Sequence, residues 1–186
     1  MGQIPDRPRR LRPSGGFREL RAFQAATVIY DATVDFCNRF VDKRSRTHDQ
    51  MVQAARSGKQ NIAEGSTASG TSRKTELKLV GVARASLEEL LQDYEDFLRQ
   101  SGLPEWGKDD ARKRSIRSLA WATERTYETY RTYIEKSDAE TAANCLICLV
   151  NQTNYLLDQQ LRHLDRRFLE EGGMTERLYR MRRERR

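Results

Sequence analysis

Apolar residues in this chain return every three or four positions over long stretches, and no segment of convincing length alternates with a period of two. A stripe with that rhythm lies on one face of a helix, so the chain must bury helical faces rather than build a sheet. The rhythm predicts a first helix over 17–41, striped by Ala22, Ala26, Ile29, Thr33, Phe36 and Phe40. A second starts near His48 or Asp49. Its stripe of Met51, Ala55, Gly58 and Ile62 is mostly small, which suits a helix lying close against a neighbour, and Gly65 suits a left-handed position closing it. Thr71 or Ser72 opens a third helix, which carries Val80, Ala83, Leu87, Leu90, Tyr94 and Phe97 as far as Gly102 and spans about 45 Å. After LPEWGKDD (103–110) comes a fourth with Ile116, Ala120, Thr123, Tyr127, Tyr130 and Ile134. The fifth, 138–171, holds Ala143, Leu146, Val150, Thr153, Leu157, Leu161, Leu164 and Phe168 and stops at Gly172 and Gly173.

Long helices joined by short connections lie antiparallel to their neighbours. The expected fold is therefore all-α: an antiparallel up-and-down four-helix bundle with an additional inserted helix and a short basic C-terminal helix. Residues 1–16, rich in Pro and Gly, read as a basic extended arm, 17–173 as the bundle with its inserted helix at about 108–136, and 174–186 as a basic helix or tail. No run of apolar residues is long enough to span a bilayer and no secretory leader is recognisable at the start, so a soluble, cytoplasmic protein that does not enter membranes is expected.

Charge separates the ends from the body. The 186 residues carry a formal charge of +7, yet residues 1–18 hold +4, residues 174–186 hold +4 and the stretch between is close to neutral at −1. Arginine presents a planar fork of donors suited to phosphate. The candidate nucleic-acid-binding residues are accordingly Arg7, Arg9, Arg10 and Arg12 on one arm, with Arg177, Arg180, Arg182, Arg183, Arg185 and Arg186 on the other. Arg56 and Lys59 on the second helix, for which the alternative is a buried hydrogen-bonded junction, and Arg73 and Lys74 opening the third, for which it is a solvated face, join the set. Positive charge at a helix start opposes the macrodipole unless an anion or acidic partner is met there, and Glu64 near the end of helix two raises the converse problem.

No reactive constellation emerges. Cys145 and Cys148 form a CxxC inside an apolar helical run, where they read as small buried hydrophobes; a mixed zinc site with Cys37, His48 and His163 is the alternative. Glu-x-x-His pairs and a phosphate loop of the GK[ST] type are missing from the sequence, and no nucleophile–histidine set can be assembled from its spacing. A non-enzymatic protein without cofactor or metal is expected, with RNA or DNA as partner. Apolar residues flanking the main stripes (Val28, Val34, Leu77, Leu91, Leu119, Trp121, Ile147, Leu149, Leu156) are wider than one seam needs and point to a homo-oligomer, unless the inserted helix covers them within one chain.

Two segments carry a family resemblance. The entry Phe17, Leu20, Phe23, Gln24, the ending Asn61-Ile62-Ala63-Glu64-Gly65 and the run Ala85-Ser86-Leu87-Glu88-Glu89-Leu90 resemble the four-helix bundle proteins encoded in intervening sequences of large-subunit ribosomal RNA genes, and the related accessory variability protein of diversity-generating retroelements. Short members pass almost directly from the third to the fourth bundle helix. Here residues 103–137 intervene, which is similar to the subgroup bearing a four-helix bundle suffix domain. The resemblance implies a non-enzymatic bundle, a closed ring that is pentameric in the retroelement branch, and a basic surface offered to nucleic acid or a reverse transcriptase. A scaffold whose arms enter the acidic groove of such an enzyme is the alternative function.

Overall fold

The computed structural model describes residues 16–120 and 126–171, together with Tyr179 and Arg183. All regular structure among these residues is helical: a 3₁₀ turn Phe17–Glu19, then α1 Arg21–Phe40, α2 Arg46–Ala68, α3 Arg73–Gln100, α4 Ala111–Leu119, α5 Tyr127–Ile134 and α6 Ala139–Glu171. No described helix is long and apolar enough to cross a membrane. The all-α expectation is met. α1 packs on α2 and α6, and α3 packs on the same two helices, so the four long elements enclose one core. The shorter α4 and α5 lie outside it, both against α6, with α5 also reaching α1.

Most of the predicted stripe residues lie in the core, while Phe40, Phe97, Leu161 and Phe168 are half-buried at its edge. Ala22, Ala26, Ile29, Thr33 and Phe36 of α1 meet Met51, Ala55 and Ile62 of α2, Val80, Ala83, Leu87, Leu90 and Tyr94 of α3, and Leu146, Val150 and Leu157 of α6, all buried. Phe36 sits edge-on to both Tyr94 and Phe97, with centroids 5.1 and 4.9 Å away. Tyr94 keeps its hydroxyl in this apolar centre because it donates to Thr33 Oγ1 at 2.9 Å, and Thr33 in turn donates to the Ile29 carbonyl. A buried phenol without such a partner would be costly.

Helix two departs from its expected limits at both ends. It starts earlier because Ser45 is the cap, its Oγ accepting from the Thr47 amide at 3.1 Å. It runs past Gly65, which is buried inside the helix rather than closing it in a left-handed turn. The glycine lets α3 lie close. A Cβ there would meet Val80 Cγ2 at 3.3 Å, and one on Gly58 would meet Leu87 Cδ2 at 2.7 Å and Cγ at 2.8 Å. Alanine gains about 1 kcal/mol of helix propensity at either site, whereas overpacking a core typically costs ~1–3 kcal/mol. Gly65→Ala is therefore expected to unfold within about 0.5 kcal/mol of the parent, and Gly58→Ala to be less stable by about 1–2 kcal/mol in denaturant titration. Equal effects would show that α2 and α3 are less tightly apposed at Leu87.

Helix three ends as predicted, in a Schellman turn: Gly102 is left-handed at φ +67°, the Gly102 amide donates to Arg99 O and the Leu103 amide to Leu98 O. The single inserted helix is corrected to two, α4 and α5. Thr126 is extended, and the change of course lets Ile116 bury on α6 while Tyr130 and Ile134 bury where α5 meets α1 and α6. One straight rod would not follow both surfaces. Arg39 holds the far end of this layer, donating to the Ile134 and Ser137 carbonyls while pairing with Asp35 at 3.1 Å.

The added layer also explains why α6 lacks a polar face midway. Residues 142–150 are buried without interruption. One side faces the core, and the other faces α4, α5 and the segment 103–107. Asn144, fully buried, ties that segment down: its Oδ1 accepts from the Trp106 amide at 2.8 Å and its Nδ2 donates to the carbonyls of Pro104 and Glu140. Trp106 Nε1 donates to Glu140 Oε1 at 2.7 Å, and the Arg112 guanidinium lies 4.1 Å over the indole.

Candidate nucleic-acid interface

The alternation of long helices sends the start of α1, the end of α2, the start of α3 and the end of α6 to one pole. The turn Phe17–Glu19 touches α1 and α2. The α2–α3 connection spans only residues 69–72, and Arg73 Nη1 donates to the Arg167 carbonyl in α6 at 2.5 Å. Both arginine-rich segments therefore join the described fold at the same pole, one at Gly16 and the other after Glu171.

The candidate residues fall into separate places. Arg7, Arg9, Arg10, Arg12, Arg177, Arg180, Arg182, Arg185 and Arg186 lie outside the described residues; Arg183 is exposed. Lys74 is exposed at the pole. Arg73 is not presented to a phosphate: it is 8% exposed, and its guanidinium faces the carbonyl end of α6. That placement resolves the expected conflict of charge at the start of α3, because the cation meets the negative end of another helix. Ser72 caps α3 by accepting from the Thr75 amide at 3.2 Å, and Glu76 supplies an acid in the first turn. The difficulty foreseen for Glu64 dissolves because α2 continues to Ala68, leaving this exposed carboxylate short of the last turn.

Arg56 and Lys59 sit about 14–18 Å along α2 from its end, away from the pole. Arg56 is exposed, whereas the Lys59 ammonium lies 4.1 Å over the Tyr30 ring of α1 and joins two helices by cation–π attraction. Sequence reasoning passed over Arg162 and Arg166. Both are exposed on the last turns of α6, beside Arg167. Their signal was present in RHLDRR, where the cations fall on the side away from Leu161 and Leu164.

The cysteines resolve as buried thiols. Cys37, Cys145 and Cys148 are all free and buried, and no three potential metal ligands gather among the described residues. Burial, with Asp93 nearby, pushes the Cys37 thiol up to about 12, and burial raises Cys145 and Cys148 as well. A group whose pKa is raised by folding contributes stability below its ordinary value, and that stability is lost as pH climbs toward the folded value. The protein is expected to lose unfolding free energy progressively between pH 9 and 12, and its thiols to stay unreactive toward a disulfide reagent at pH 8 until the chain unfolds. Rapid native-state labelling of all three would contradict the burial described here.

The apolar surplus that pointed to self-association is largely covered within the chain. Val28, Leu91, Ile147 and Leu149 are buried, Val34, Leu77, Leu119 and Leu156 are half-buried, and Trp121 lies outside the described residues. α4 and the 105–108 segment border the same cavity as Val28, Leu149 and Leu156, so part of the cover comes from the inserted residues. Comparison of the chain with protein-family models, with curated proteins and with solved structures gave no match.

Proposed function

We propose that the chain is a non-enzymatic nucleic-acid-binding protein in which α1, α2, α3 and α6 form an antiparallel four-helix bundle, α4 and α5 are an inserted outer layer, and one pole grips RNA or DNA. The observation that carries this reading is the convergence of both arginine-rich attachment points on the pole that also holds Lys74, Arg162 and Arg166. Nothing about such a grip needs a base-specific pocket: cations displace condensed counterions from the phosphates, and the released ions drive association. The resemblance to the intervening-sequence family belongs to the same reading, with Arg73 and Lys59 withdrawn from the phosphate-facing set.

The deciding measurement is affinity for a short duplex and a matching single strand as salt is varied. Binding should weaken steeply and linearly on a log–log plot, by about 0.9 log units per engaged phosphate for the duplex. Affinity indifferent to salt would refute the proposal. Capture from lysate with and without nuclease separates this reading from the scaffold alternative, because an acidic enzyme partner stays bound after nuclease. Self-association would multiply the basic poles, and light scattering on the free protein tests it directly: a monomer mass ends that part of the proposal.

A further inference from the structure

A cavity of about 670 Å³ opens between the first turns of α1, the middle of α6, and α4 with the 105–108 segment. Its floor is apolar, made of Ala25 and Val28 from one side and Cys148, Leu149 and Leu156 from the other. Its charged lining is one-sided: Arg21, Lys108, Lys113 and Arg117 face a single carboxylate, Glu105. Lys113 donates to the Trp106 carbonyl at 2.8 Å and lies 3.5 Å from Glu105, while Arg117 Nη2 donates to the Lys108 carbonyl at 2.6 Å. Those contacts fix two cations on one wall and leave further guanidinium donors on Arg117, which has five. Tyr155, a large aromatic at 61% exposure, lines the same cavity.

An apolar hollow of this size with a few convergent polar groups has the form of a small-molecule site. We propose that it binds a small amphipathic anion, a molecule with an apolar body that lies on the Val28–Leu149 floor and one acidic group held by Arg117 and Lys113. Charge and shape select together: an apolar body without the acid leaves the cationic wall unanswered, and a bare anion leaves the floor wet. Cys148 on the floor lies within reach of this wall: burial raises its thiol, Lys113 and Arg117 oppose that rise, and Glu105 adds to it.

Titration calorimetry on the full chain tests this with decanoate and 1-naphthoate as anionic probes, decanol as the uncharged counterpart and decyltrimethylammonium as the opposite charge. One acid, chain or ring, should bind saturably with a stoichiometry of one and at least tenfold more tightly than decanol, with no binding of the ammonium; which acid wins tells whether the natural body is acyl or aromatic. Arg117→Gln should remove most of the advantage over decanol. Ala25→Phe should fill the floor and abolish binding of the acid, a loss that attraction to the arginine-rich segments could not produce. Leu156→Trp, filling from the opposite wall, serves if Ala25→Phe fails to fold by circular dichroism. Equal affinity for decanol and the acids, an unaffected filled variant, or no saturable binding of either acid would overturn the proposal.

Discussion

Removing residues 1–15 together with 174–186 is expected to cut affinity for a short duplex by about a hundred- to a thousandfold at low salt and to flatten the salt dependence. The two segments contain ten arginines, Arg7, Arg9, Arg10, Arg12, Arg177, Arg180, Arg182, Arg183, Arg185 and Arg186. If about half reach phosphates at once, they account for roughly four to five units of log–log slope. The shortened protein should keep its thermal midpoint, because it retains every helix from α1 to α6. A second variant tests the polarity of the molecule. Lys43, Arg44 and Arg46 are exposed where α1 hands over to α2, at the pole opposite Gly16. Exchanging all three for Gln should leave slope and affinity nearly unchanged. A comparable loss from that exchange would mean that net charge, rather than the basic pole, governs binding.

The second large effect is expected at Asn144. Asn144→Ala removes the acceptor of the Trp106 amide and the donor to Pro104 O and Glu140 O in one step. Each buried polar group left without a partner costs about 1–3 kcal/mol. A total of about 2–4 kcal/mol is expected, since part of the released segment can recover water. Asn144→Leu should be no better, because shape is restored while the amide and the carbonyls remain orphaned. The distinctive readout is local: with Trp121→Phe as background, Trp106 emission should shift to the red and proteolysis should begin within 103–110 before the rest of the chain opens. A variant as stable as the parent, with unshifted emission, would show that Glu140, Arg112 and Lys113 suffice to anchor Trp106.

Asn144 also marks where the sequence could be read and where it could not. The stripes of α1, α3 and α6 were legible because each has a dry face and a wet face, and only one helical phase buries Phe36, Leu87 or Leu157. The stretch 142–150 has no wet face, so periodicity loses its contrast there. The CxxC is the conspicuous pattern in that stretch, while the informative residue is the single amide among apolar neighbours. Gly65 was misread for a related reason. Its freedom to turn left-handed is local chemistry, but its lack of a Cβ answers a demand from Val80 on the next helix, and that demand exists only after folding. Arg73 follows the same logic, since its partner is a carbonyl 94 positions away. The basic candidates on α2 were visible as charges, but their distance from the pole depended on how far α2 ran. The cationic wall of Lys113 and Arg117 lay in plain view in KDDARKRSIR, yet the apolar floor that gives it meaning comes from α1 and α6.

The unbroken burial of 142–150 sets a rule for anyone trimming the molecule. A minimal version that joined α3 directly to α6 would strip one flank of that helix and bare Cys148 and Leu149, which line the same cavity as Lys113 and Arg117 of α4, to water. Such a truncation should clump during expression unless those two positions are made hydrophilic at the same time, so the outer layer behaves as an obligate part of the architecture rather than an ornament on it.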